Sequence, residues 1–286
     1  MDLSIIIVSW NVKELLKKNL KEIFQNTKNI KFEIFVIDNN SQDKTVKMIK
    51  KEFPQVNLIV NNYNAGFAKA NNQGIKKVKG KYILLLNPDM KVLDNTLENM
   101  VDWMNKNKNV GVAGCHLIDD NNRTIQHVRK FPTIFDQLMI VLKIPHIFPK
   151  VLNKYLMKDF NYNKEAEVDS IRGAFFMIRR EVIDKLVGLD ERYFIWFEEV
   201  DFCKQVKNTG WKIIYTPTAK CVDYVGKSFS QVNRGITQEY FRDSMLKYFK
   251  KWYPIWQYWI LKSAWTIGIF ISFIGDKLNF KSRVKT

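Results

Sequence analysis

Four short apolar runs punctuate the first ninety residues, at positions 5–8, 34–37, 58–60 and 82–86. The segments between them change period. Leu15, Leu16, Leu20, Ile23 and Phe24 recur at helical spacing, and so do Val46, Ile49 and Phe53. The third connection, 66–78, is richer in Ala and Asn. Strand runs that alternate with helix-length connections predict βαβ units and a mostly parallel sheet. After Met90 the pattern shifts. Residues 93–104 read as an amphipathic helix capped by Asp94 or Asn95, and "GVAGCHLID" reads as a further strand. Between 126 and 160, Pro132, Pro145 and Pro149 break the periodicity and predict a loop or a short helical excursion over a cleft. From Val168 the order strand, helix, loop, helix, strand returns.

The polar residues that end these runs carry the candidate chemistry. The first strand closes on "VSWN", without the G-x-G-x-x-G turn of a dinucleotide site, which weighs against a dehydrogenase. The second closes on "VIDNNSQDKT", where Asp38 and Asp43 can accept hydrogen bonds from a nucleoside, or Ser41 and Asp43 can simply cap the next helix. In "NNYNAGFAKANNQGI", Gly66 permits close backbone approach, Ala68 and Ala70 let the helix pack tightly, and the helix amino end favours an anion. "LLLNPDM" holds Asp89 rigidly at a strand end, as a plain turn or as a ligand for a cation on a diphosphate. "WFEEVDF" groups Glu198, Glu199 and Asp201 among aromatics. Acids suit a helix start, and apolar neighbours would also raise a carboxyl pKa toward that of a general base.

Composition narrows the class. At 286 residues with 46% hydrophobic content the chain can bury a full core. Its net charge of +17 comes mostly from lysine, which suits anionic lipid or substrate better than base-specific nucleic-acid reading, and no arginine-rich stripe is present. Cys115, Cys203 and Cys221 are widely spaced, so neither a disulfide framework nor a zinc site is expected. The start "MDLSIIIVSW" lacks a basic leader and reads as a strand. Residues 255–275 form a long apolar stretch interrupted by Lys262 and rich in Trp and Tyr. Basic residues flank it on both sides, Lys247, Lys250 and Lys251 before and Lys277, Lys281, Arg283 and Lys285 after. That symmetry predicts a helix lying in a membrane interface rather than crossing it.

Taken in order, "SIIIVSWN", "VIDNNSQD", "NAGFAKANNQGI", "YILLLNPDM", "RGAFFMIRREV" and "GLDERYFIWFEEVDFCKQVKNTGWKIIYTP" resemble the family 2 glycosyltransferases, specifically their rhamnosyltransferase-like branch, over roughly residues 3–228. The resemblance implies a GT-A fold. Residues 1–115 would form a Rossmann-like nucleotide-sugar half and 116–230 an acceptor and catalytic-base half, while the apolar stretch described above makes 231–286 a C-terminal helical, membrane-associating segment beyond the reach of the resemblance. It implies an inverting transfer, dependent on Mg²⁺ or Mn²⁺, from a nucleotide-diphosphate sugar to a glycan or polyprenyl-linked acceptor at the cytoplasmic face of the membrane, in cell-surface polysaccharide synthesis. Glu199 matches the catalytic base, with Glu in place of the usual Asp. Asp38, Asp43, Gly66, Asn87, Arg172 and Glu198 fall at nucleotide-sugar positions, and Asp89 matches the metal ligand. Asp223 replaces a His that often stands five residues before a Ser, here Ser228, and is carried as a second metal ligand. Arg234 and Arg242 are further basic candidates for a phosphate. The departures at 87, 199 and 223 would equally fit a non-catalytic sugar-nucleotide or glycan-binding homologue. A processive synthase is disfavoured, since the chain has no Q-x-x-R-W element.

Overall fold

The computed structural model describes residues 1–224 and 232–277. β1 (Leu3–Ser9), α1 (Lys13–Asn26), β2 (Phe32–Asp38), α2 (Thr45–Glu52), β3 (Asn57–Val60), α3 (Phe67–Ile75) and β4 (Tyr82–Leu86) alternate as the apolar runs predict. β1 pairs in parallel with β2 and β4, and β2 with β3. Strands covered on both faces have no solvent side to signal by alternation, which is why residues 3–7 and 82–86 are buried without interruption.

The chain then continues through β5 (Met90–Val92), α4 (Thr96–Lys106), β6 (Val110–Ile118), β7 (Val128–Arg129), α5 (Ile134–Val141), β8 (Ala166–Glu167), β9 (Ser170–Ile171), β10 (Phe175–Arg179), α6 (Arg180–Leu186), α7 (Glu198–Asn208), β11 (Lys212–Asp223), α8 (Arg234–Trp252) and α9 (Ile255–Lys277). The nine-stranded sheet runs β3-β2-β1-β4-β10-β6-β11-β5, with β8 on β11. β10 enters antiparallel between β4 and β6, and β5 lies antiparallel on β11. The sheet is therefore mixed in its second half, and position 115 falls inside β6, so one sheet runs through both halves of the chain.

Two apolar clusters fill the two faces of the sheet. A third gathers α5, α8 and α9 around Tyr193 and Phe197. Local chemistry moves some boundaries. α4 starts at Thr96 because Asn95 is left-handed (φ 58°), and neither Asp94 nor Asn95 supplies a side-chain cap. The excursion over 126–160 is ordered by a capping box, in which Thr133 and Asp136 bond each other's backbone at the start of α5. All three cysteines are buried and free. Among the described residues no helix is long and apolar enough to cross a membrane.

Candidate active site

The carboxyl ends of β1, β2 and β4 open onto one cleft of about 280 Å³, where open α/β sheets bind ligands. It is lined by the Asn87-Pro88-Asp89 turn, by Arg172 and Gly173, and by Glu198 and Glu199. Three contacts explain why residues so far apart in sequence meet. Phe175 pairs with Leu86, the Asn87 amide donates to the Ala174 carbonyl at 3.0 Å, and a Cβ at Gly173 would stand 3.7 Å from the Glu199 Cβ. One short segment, 172–175, thus joins the strand-end turn to the acidic helix. A wider depression over α2, about 610 Å³, is lined by Lys44, Lys47, Lys50 and Lys51 without any acid, so it offers no base or metal ligand.

Asp89 is 3% exposed, and its Oδ1 has no hydrogen-bond partner among the described residues. A buried carboxylate oxygen left in this way is costly unless a cation or donor completes it. Asp223 lies beside it, since Asp223 pairs with Met90 and the Tyr224 amide donates to the Asp89 carbonyl. The Asp223 carboxylate, however, is ion-paired to Arg172 at 2.9 Å. The expected second metal ligand is therefore already engaged by a cleft arginine. No group of three or more His, Cys, Asp or Glu side chains is placed to hold a metal among the described residues. Asp89 fits a hard divalent cation only where phosphate oxygens and water complete the shell, which is how magnesium is ordinarily bound. Ser228 and the Arg234 side chain lie outside the described residues, and Arg242 pairs with its neighbour Asp243 at 3.1 Å.

The acidic turn is held by unusual backbone. Trp196 and Phe197 both have positive φ, 64° and 67°, and bulky side chains reach that region only when the surroundings enforce it. This kink starts α7 at Glu198 and turns both glutamates into the cleft. Burial pushes the Glu198 carboxyl well above the ordinary range, and the neighbouring charge of Glu199 pushes it further. Burial raises Glu199 as well, while the guanidinium charges of Arg129 and Arg172 pull it back. Of the pair, Glu199 is accordingly the readier to ionise, the division expected of two carboxyls in unequal environments.

The third acid serves the fold. Asp201 is fully buried and accepts hydrogen bonds from Lys251 Nζ (2.8 Å), Trp252 Nε1 (2.5 Å) and Gln205 Nε2 (2.7 Å), which ties α7 to the end of α8. Lys251→Met should lower stability by about 2 kcal/mol, the worth of a charged hydrogen bond whose acceptor keeps other donors. Urea unfolding checks this, and an unchanged midpoint would remove the anchoring role.

The nucleotide-side candidates divide. Asp38 is fully buried at the end of β2, its Oδ2 accepting from the Ser41 amide at 2.9 Å. Among the described residues its Oδ1 and the Oγ of Ser9, the residue opposite on β1, have no hydrogen-bond partner, and the cleft is lined by the adjacent Asn39. Asp43 caps two helices, accepting from the Lys13 amide (2.8 Å) and the Thr45 amide (3.1 Å) and hydroxyl (2.5 Å). Burial pushes its carboxyl up, but these hydrogen bonds more than offset that and hold it below the ordinary value.

The amino end of α3 is closed to an anion at its first amide, because the Phe67 N–H donates to the Phe194 carbonyl at 2.7 Å. Gly66, with φ 79° and ψ 178°, sits where essentially only glycine is tolerated, and a Cβ there would meet the Phe194 carbonyl oxygen at 2.5 Å. Gly66→Ala should cost about 3 kcal/mol through strain and overpacking. A thermal-unfolding midpoint equal to that of the parent would contradict this. Trp10, Asn39, Asn64 and Trp196 also line the cleft, beyond the residues that the sequence motifs single out. The "SWN" and "DNN" that follow the first two strands are the available signal for the first two.

Residues 4–187 match the model described as glycosyl transferase family 2. Rhamnosyltransferase WbbL of Escherichia coli K12 is 24% identical over 77% of this chain and 82% of its own length. The N-acetylglucosaminyl-diphospho-decaprenol L-rhamnosyltransferase of Mycobacterium tuberculosis is 21% identical over 68% of this chain and 67% of its own. Among solved structures, GalNAc-T7 with UDP, GalNAc and Mn²⁺ superposes with a TM-score of 0.63 at 18% identity, over 86% of this chain and 48% of that one. The Pyrobaculum calidifontis mannosyltransferase PcManGT with GDP-Man and Mn²⁺ gives 0.58 at 18% identity, over 96% and 75%. Both structural neighbours are glycosyltransferases of GT-A architecture, and the mixed sheet with its cleft at the strand ends has that form. With the family model covering most of the chain, this protein belongs to glycosyl transferase family 2 and is a glycosyltransferase.

Proposed function

We propose that this enzyme transfers a hexose, rhamnose by analogy with the named relatives, from a nucleoside-diphosphate sugar to a lipid-linked or glycan acceptor of the cell surface, with inversion. The observation that carries the reading is the meeting of Asp89 and Glu199 in one cleft, each with a carboxylate oxygen lacking a hydrogen-bond partner among the described residues. Glu199 Oε2 accepts the proton of the acceptor hydroxyl as that oxygen attacks the anomeric carbon, and the bond to the nucleoside diphosphate breaks on the opposite side. A single displacement of this kind inverts the anomeric centre. Glu198 beside it is raised further, by burial and by the Glu199 charge, and is the less readily ionised of the two.

The leaving diphosphate carries the largest developing charge. A divalent ion, Mg²⁺ or Mn²⁺, held by Asp89 would supply the neutralisation there. Arg172, fixed by Asp223, adds a cation to the same cleft. Asp38, Asn39 and Asn64 lie at the strand ends that would receive the nucleoside, while Asp43 acts on it only by fixing the helix starts around the site. Purified protein screened with Mn²⁺ against a panel of nucleotide sugars tests the reading. The cognate donor at a hundred times its Kd stabilises the fold by about 2.7 kcal/mol. If no nucleotide sugar shifts unfolding with either metal, the donor assignment is lost.

A further inference from the structure

We propose that α9, together with the segment packed beside it, is a docking face for an anionic bilayer surface. The helix has two unlike sides. Leu261, Ala264, Trp265 and Gly268 face inward, and Gly268 lies so close to the Val141 carbonyl that a Cβ would collide with it. Ile255, Trp256, Trp259, Ile260 and Ile267 are each 44–55% exposed. At 100° per residue those five fall on one side of the helix. α5 packs against α9, with the Val141 carbonyl under Gly268, and exposed Phe135 lies on α5 while exposed Ile147 and Phe148 lie in the segment that follows it. An exposed apolar face this extensive marks an interaction surface.

Charge identifies the partner. Positions 137–158 contain four lysines and positions 244–268 another four, of which Lys251 is paired with Asp190 and Asp201, and neither stretch contains a carboxylate of its own. Lys262 stands at the edge of the apolar side, its ammonium 5.0 Å from the Trp259 ring. Trp and Tyr beside Lys, without acids, is the composition of a helix lying at an anionic lipid interface. A second copy of the chain would oppose lysine with lysine across a symmetric contact, so charge disfavours a dimer through this face. No described helix is long and apolar enough to span a membrane, and the proposed contact runs along the bilayer surface.

The face is also tied to the cleft. The Phe241 ring lies 6.2 Å from that of Trp196, on the cleft wall, and 6.5 Å from that of Trp265, on the inner side of α9. A bilayer under α9 therefore holds the cleft near the depth at which a lipid-borne sugar is presented. That consequence rests on the proposed acceptor, whereas the membrane contact does not.

Flotation of the full chain with phosphatidylcholine vesicles, with or without phosphatidylglycerol, tests the proposal. The chain should float with phosphatidylglycerol vesicles, less so at high salt, and a Trp256→Ser/Trp259→Ser pair should weaken binding at least about tenfold. Lys262→Glu, at an exposed position, should weaken it by a smaller factor. Both variants should keep the parent unfolding midpoint and the nucleotide-sugar thermal shift, which separates failure here from failure of the transferase reading. Parent protein that stays with the soluble fraction, or a tryptophan pair variant that floats equally well, overturns the proposal. So does a dimer that the tryptophan substitutions dissociate while vesicles go unbound, which would assign the face to a second copy.

Discussion

Glu199→Gln is expected to lower the rate of sugar transfer by ~10²–10⁴, the usual worth of a positioned general base. Glutamine keeps the length and shape of the side chain, so nucleotide-sugar affinity should stay near that of the parent. Paired measurements of nucleoside-diphosphate release and donor binding check both halves, and near-normal turnover would take Glu199 out of the mechanism. The same residue sets a pH signature. A general base acts only when ionised, and burial raises the Glu199 pKa above the ordinary 4.5, so with Glu199 in that role the acid limb of the rate profile should lie above that value, with activity rising as pH rises through it. Stability runs the other way. A carboxyl whose folded pKa is raised contributes stability below its unfolded pKa and loses it as pH rises through the folded one. Glu198→Gln should therefore melt higher than the parent at neutral pH, with the difference vanishing below about pH 4.5.

Asp89→Asn is the second large effect. Removing the buried carboxylate proposed to hold the cation on the diphosphate should cut kcat/KM by about 10³. The substitution is nearly isosteric and replaces a carboxyl whose buried Oδ1 has no hydrogen-bond partner among the described residues, so the ligand-free fold should be no less stable than the parent. The diagnostic readout is the thermal shift with donor and Mn²⁺, which should collapse toward the metal-free value. An Asp89→Asn variant that retains the metal-dependent shift would show that the cation is held elsewhere.

Much of the first half of the fold was legible because its strands are buried on both faces. A run such as "YILLL" has one reading when turn residues follow at once, and β4 spans those five residues. The insertion of β10 between β4 and β6 was not legible. Strand direction leaves no mark on an apolar run, and only the pairing of Phe175 with Leu86 reveals it. The helix-cap readings were half legible. Asp43 was a visible cap candidate, but that it caps α1 as well as guarding α2 depends on a contact thirty residues away. Within "EEVDF" the three acids look alike in sequence. Two face the cleft and one is buried against Lys251 and Trp252, because left-handed turns at Trp196 and Phe197 set the rotation of α7.

By itself, then, the order of residues determined the alternation of strands and helices, the family, and the positions where carboxylates would sit at strand and helix ends. Those are local matters, set by period and turn chemistry within a few residues. Tertiary structure alone decided that Asp223 is bound to Arg172, that the α3 amino end is filled by the Phe194 carbonyl, and that Glu198 is raised further than Glu199. Each of those outcomes depends on which distant group arrives beside a charge, and burial and Coulomb interaction act through space rather than along the chain.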